Sequence, residues 1–175
     1  FAKAALQSNK HVLVEKPLTE NSKHAEELVD LANKNSKVLM VDHTFEYTPA
    51  VNKIKDILEE GELGNIFTMD MIRVNLGLFQ KDINVVWDLA PHDISILLFL
   101  IKKLPLSVKA EGMSYILNDI QDDVHITLKF ADDVMVHMHV SWLDPLKIRK
   151  MTIVGNKKML VYDDVHPERK LQIFD

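Results

Sequence analysis

The chain contains no cysteine, so disulfides, thiolate nucleophiles and Cys-ligated metal centres are excluded. Glycine is scarce: the five present, at 61, 64, 77, 112 and 155, cannot form the G-x-G-x-x-G turn that brings a backbone close to a pyrophosphate. No apolar run is long enough to cross a bilayer; in the most apolar segment the unbroken stretch is only Ile96 to Ile101. There is no basic tract, and the formal net charge of -5 gives no electrostatic reason to expect nucleic acid or an anionic membrane as a partner. No secretory leader is visible, and the first residue is Phe1, so the native start is expected to be missing. Apolar and charged fractions of 47% and 27% are those of a soluble globular protein rather than a disordered one.

The first part alternates helix and strand. FAKAALQSN reads as the tail of a helix and HVLVE (11–15) as a short apolar strand. Thr19 is a candidate cap for a helix reaching about Asn35, with Ala25, Leu28, Val29 and Ala32 on one face. KVLMV (37–41) is a second strand, and two apolar strands around an amphipathic helix predict a parallel βαβ unit. Thr48-Pro49 then starts a helix that Gly61 ends.

Beyond GELGN the pattern changes to long alternating strands. In FTMDMIRVN, Phe67, Met69, Met71, Arg73 and Asn75 share a face. A helix follows in WDLAPHDISILLFL, and from about 106 the chain reads as mostly antiparallel β, including a hairpin turned by Ala131-Asp132-Asp133. The change divides the chain into 1–46 and 47–175, with the boundary around Asp42 to Tyr47.

Two stretches carry candidate chemistry. If the apolar helix begins near Asp88, that side chain can cap it, with Pro91 tolerated in the first turn. Asp88 and His92 are four apart and share a face, which sets a half-buried imidazole beside a carboxylate, a setting for general acid/base work. Capping alone also explains Asp88, with His92 as a hydrogen-bonded structural histidine. The second stretch is VEKPL: Glu15, Lys16 and Pro17 end a strand expected to be parallel, where open α/β sheets place ligand crevices. The alternative there is a surface lysine in a loop fixed by proline.

Taken in order, HVLVEKPL, VDHTFEYTPAV, EEGELGNI and WDLAPHDISIL closely resemble the Gfo/Idh/MocA family of NAD(P)-dependent oxidoreductases, over roughly Ala4 to Gly155. The resemblance implies a Rossmann dinucleotide-binding domain, incomplete in 1–46, followed by an α/β domain with an open, mostly antiparallel sheet in 47–175, the latter cut short at its end. It implies a fragment that binds NAD or NADP poorly by itself.

The same resemblance assigns Lys16, Asp88 and His92 to catalysis and Glu15, Lys16 and Pro17 to the cofactor, with a cis Lys16–Pro17 bond. His92 would take the proton of a sugar hydroxyl as hydride leaves carbon, Asp88 would orient it, and Lys16 would steady the developing oxyanion. RVNLG before NVVWDLAPHD is most similar to relatives acting on nucleotide-activated amino sugars, which makes Arg73, Asn75 and Asn84 candidate substrate contacts. For Arg73, an edge-strand surface charge is the competing reading.

The chain departs from the family pattern at Asp42, Glu46 and Ser95, where glycine, arginine and aspartate are common, and this leaves the substrate open. The resemblance further implies a cytoplasmic homo-oligomer joined through the open sheet face. Other readings are a silent cofactor-binding or structural protein on the same fold, and a relative that cleaves glycosides by transient oxidation.

His125, His137 and His139 fall on the polar face of the hairpin, with His125 opposite His139. No acidic ligand has an obvious spacing to them, so no metal is expected there.

Overall fold

Alternating burial along Val12–Glu15 marks β1, the first strand of a computed structural model that describes every residue from Phe1 to Asp175. The chain divides into two units, Phe1–Thr44 and Phe45–Asp175.

In the first unit the order is α1 (Ala2–Gln7), β1, α2 (Ser22–Lys34) and β2 (Leu39–Asp42). The strands pair in parallel from Val12 opposite Leu39 to Glu15 opposite Asp42. Leu6, Leu28 and Ala32 form a small core, with Val12, Leu18, Leu31 and Leu39 packed on it. The cap of α2 differs from the sequence expectation. Asn21 accepts from the His24 N–H at 2.9 Å, while the Thr19 hydroxyl donates to the Asn21 carbonyl at 2.6 Å. Both residue types favour caps, and the one whose backbone is extended next to the first helical turn takes the role. The Lys16–Pro17 bond is cis.

The second unit contains α3 (Pro49–Glu59), β3 (Ile66–Val74), α4 (Val85–Ile101), β4 (Ser107–Met113), β5 (Asp123–Lys129), β6 (Met135–Ser141), β7 (Ile148–Gly155), β8 (Met159–Asp163) and β9 (Leu171–Phe174). The strands form one open sheet in the order β4-β5-β6-β3-β7-β8-β9. Only β3 and β6 run parallel; the other neighbours are antiparallel. One face buries Met69, Met71, Ile126, Val136, Met138 and Val140 in a core with Val85, Ala90, Ile96 and Leu97 of α4 and Val51, Ile54 and Ile57 of α3. Alternation sends Asp70, His125, Thr127 and His137 to the opposite face.

Because β3 is central, Arg73 is not an edge-strand surface charge. Phe67 is exposed rather than in line with Met69 and Met71, because the pairing of β3 with β7 shifts between Ile66 and Thr68.

Gly155 ends β7 against the turn after α3. A side chain there would be driven into the Leu63 carbonyl, which already accepts from the Lys157 N–H at 3.1 Å. Gly155→Ala is expected to destabilise the protein by about 1–3 kcal/mol, seen as a lower urea midpoint at constant slope. An unchanged midpoint would mean the turn yields freely.

Candidate active site

α4 begins at Val85, three residues before Asp88. Its cap is Asn84, whose side-chain oxygen accepts from the Trp87 N–H at 3.2 Å while its amide nitrogen donates to Gln121 at 3.1 Å. Asp88 therefore does not cap the helix. It lies in the first turn, and its Oδ2 accepts from the indole N–H of Trp142 at 3.0 Å. Pro91 is inside the helix rather than in its opening turn, so the bond that its N–H would give the Trp87 carbonyl is missing.

His92 follows Asp88 by one turn, half-buried, with its ring edge-on to Phe45 at 5.1 Å between centroids. Its carbonyl accepts from the Ser95 hydroxyl at 2.9 Å. Apolar residues hold the helix to the sheet, and Asp88 and His92 occupy the partly exposed side of its first half.

A buried ion pair lies behind His92. Asp93 takes two bonds from Arg73, at 3.0 Å from Nε and 2.7 Å from Nη2, with both side chains less than a tenth exposed. The forked geometry joins β3 to α4 at the position next to His92. Phe45 stacks on the Arg73 guanidinium at 4.7 Å and lies 5.8 Å from that of Arg149, so one ring touches both the ion pair and His92. Arg73 retains one buried donor, Nη1, with no protein acceptor. Nearby, burial and the adjacent Asp164 carboxylate push the Tyr162 phenol far above its ordinary pKa, so it remains a neutral donor to Asp164 at 3.1 Å.

The segment after β3 closes over Trp142. The N–H groups of Asn75 and Gly77 donate to the carbonyls of Ser141 and Trp142, and Phe79 meets the indole edge-on at 6.0 Å. Asn75, Trp142 and Asp88 thus belong to one packed assembly. Trp142→Phe keeps a buried ring but removes the donor to Asp88, and is expected to cost about 1.5–3 kcal/mol. Chemical denaturation reads this directly, and wild-type stability would show that the bond contributes nothing.

In the first unit, Glu15, Lys16 and Pro17 leave the C-terminal end of β1. Since Glu15 pairs with Asp42, His43 leaves β2 at the same edge. The His43 Nδ1 is buried with no protein partner, a polar atom left for a ligand or water. No glycine occurs in Phe1–Thr44, so these residues contain no turn suited to a pyrophosphate. Lys16 and the orphaned imidazole nitrogen thus lie at the carboxyl end of the two parallel strands.

Sequence reasoning did not single out Phe45, Trp142, Asp93 or His43. A signal for Asp93 was available: an acid on a core-facing helix and Arg73 on a core-facing strand both require a buried partner. The absence of an acidic neighbour for the sheet histidines is also corrected, because Asp123 lies 3.1 Å from His139 and 3.8 Å from His125.

A parallel βαβ piece whose first strand runs out into Glu-Lys-Pro, followed by an open sheet carrying an Asp-x-x-x-His helix, defines the architecture of a dinucleotide-linked oxidoreductase. The chain belongs to the Gfo/Idh/MocA family: residues 51–161 match its C-terminal domain, and residues 1–43 match the oxidoreductase family's NAD-binding Rossmann fold.

It is 30% identical to the UDP-N-acetylglucosamine 3-dehydrogenase of Acidithiobacillus ferrooxidans over 116 residues, covering 65% of this chain and 35% of that protein. A solved structure of that organism's UDP-N-acetylglucosamine 3-dehydrogenase superposes with a TM-score of 0.79 at 25% identity, covering 93% of this chain and 52% of the other. An inositol dehydrogenase homologue of Azotobacter vinelandii, complexed with NADH and myo-inositol, shares the fold, with a TM-score of 0.87 at 18% identity over 99% of this chain and 52% of that one. The chain thus spans about a third to a half of the length of these proteins. No helix is long and apolar enough to cross a membrane.

Proposed function

We propose that this chain is part of an oxidoreductase that transfers a hydride between NAD or NADP and a carbinol carbon of a sugar, with a nucleotide-linked sugar as the substrate class. The observation that carries this reading is the arrangement of Asp88 and His92 on the first half of α4, where Trp142 holds the carboxylate and Phe45 the imidazole. A bound nicotinamide would exchange the hydride. The protein must manage the proton and the charge on the carbinol oxygen.

His92 takes the hydroxyl proton, and Asp88 orients it and supports the imidazolium that forms. Lys16 stabilises negative charge developing on the oxygen, while Glu15 and Pro17 shape the strand end that receives the cofactor. Of the candidate substrate contacts, Asn75 keeps that role; Arg73, buried in its pair with Asp93, and Asn84, bonded to Trp87 and Gln121, position the elements around the site. The segment 1–46 serves the cofactor and 47–175 serves the substrate and subunit contact. The helix-free sheet face supports a homo-oligomer, and the cysteine-free composition suits the reducing cytoplasm.

The test is to incubate the intact protein with either dinucleotide and a panel of nucleotide sugars and glycosides. Reduced nicotinamide accumulating in proportion to a nucleotide sugar supports the proposal. Transient reduction with release of an aglycone indicates glycoside cleavage, and dinucleotide binding without turnover of any substrate indicates a silent protein.

A further inference from the structure

The sheet face opposite α4 carries a cluster that hydride transfer does not use. Asp123 and His125 are alternate residues of β5, and His139 is the β6 residue paired directly with His125. The two imidazoles stack with centroids 4.1 Å apart and planes within 7°. Both direct Nε2 toward one carboxylate, His139 at 3.1 Å from Oδ2 and His125 at 3.8 Å from Oδ1. One ligand atom from each of the three residues falls within 4.8 Å of the others.

We propose that Asp123, His125 and His139 form a binding site for a divalent transition-metal ion of the zinc class, separate from the hydride-transfer site. The donor set is two imidazole nitrogens and one carboxylate oxygen, which suits zinc with at least one coordination position open. Neighbouring paired strands fix the Cα positions of the ligands, so small side-chain rotations bring three donors around one ion. To coordinate one ion the stacked rings must tilt apart, because each Nε2 lone pair lies in its own ring plane and the two have to converge.

Each ring must present an unprotonated Nε2, with its remaining proton on Nδ1. Beside the cluster lies a concavity of about 330 Å³, lined in part by Asp70, Thr127 and His137, with room for water or a small anion on the open position. His137 lies two residues from His139 but is within 3.3 Å of Thr127 instead, and is not a ligand.

The charged and titratable groups facing the cluster along this side of the sheet are Asp70, Lys109, Glu111, Lys129, His137 and Lys150, with Glu111 paired directly with His125 and held by Lys109 at 2.8 Å. Asp70 is the charge on the neighbouring central strand that would favour a cation.

The test is calorimetric titration of the intact, tag-free protein with zinc chloride at pH 7.5. The expected result is saturable binding of one zinc per chain. His125→Ala, His139→Ala and Asp123→Asn should each reduce affinity at least about tenfold, whereas His137→Ala should bind as wild type does. All four positions are on the helix-free face assigned above to subunit contact, so circular dichroism checks that each variant is folded and gel filtration that it keeps the wild-type assembly. Absence of saturable zinc binding in the wild type overturns the proposal. So does binding that survives in His139→Ala or disappears in His137→Ala.

Discussion

Replacing Asp93 with alanine is expected to cost about 3–5 kcal/mol of stability, because it leaves the Arg73 guanidinium charged, buried and without its forked partner. The pair is inside the second unit, less than a tenth exposed on either side, where solvent cannot compensate for the loss. Urea unfolding measures the effect. A loss below about 1 kcal/mol would show that water reaches the guanidinium after all.

The double variant Arg73→Met with Asp93→Leu removes both charges and is expected to recover most of the loss, since a matched apolar replacement need not bury an unpaired ion. Its turnover should nevertheless remain low. Phe45 stacks on Arg73 and touches His92, so the ion pair also fixes the imidazole. Stability and activity should therefore separate in the double variant and decline together in Asp93→Ala.

His92→Ala is expected to lower kcat in the intact protein by about 10²–10⁴-fold, the range typical of a lost general base. The ring is half-buried at the outer side of α4, so the fold should persist, and the unfolding midpoint provides that control. Lys16→Ala should also depress kcat, by about 10²–10³-fold, as expected for a lost stabiliser of the developing oxyanion. Wild-type rates in both variants would contradict the assigned roles.

The sequence made the architecture legible where local pattern and tertiary burial agree. Period-two alternation located β3, β5 and β6, and the short Ala131–Asp133 turn fixed His125 opposite His139. Hydrophobic spacing found α2 and α3, although cap chemistry alone misplaced two helix starts. Thr19 and Asp88 are good caps by type, but the roles fall to Asn21 and Asn84, whose backbones are extended immediately before the first turn. Pro91 made a start near Asp88 look natural, yet a proline within an apolar helix is tolerated when packing on the sheet outweighs one missing bond.

Long-range partners were the least legible. Arg73 and Asp93 are 20 residues apart, and their pairing depends on α4 crossing the central strand. Phe45 and Trp142 are ordinary aromatic residues in sequence, and only the fold brings them to His92 and Asp88. Asp123 is two residues from His125 on the same strand face, a spacing that could have been read but carries weight only once His139 is set across from them.

The most direct measurement of the central claim follows deuterium. The intact protein would be given oxidised dinucleotide and a nucleotide sugar deuterated at the carbinol carbon that reacts, and the products analysed by mass spectrometry. The account predicts that deuterium moves to the nicotinamide ring and stays there as ketosugar accumulates, with the transfer suppressed in His92→Ala. Sugar that is consumed while its deuterium never appears in the dinucleotide, or is returned to carbon in the final product, would contradict it.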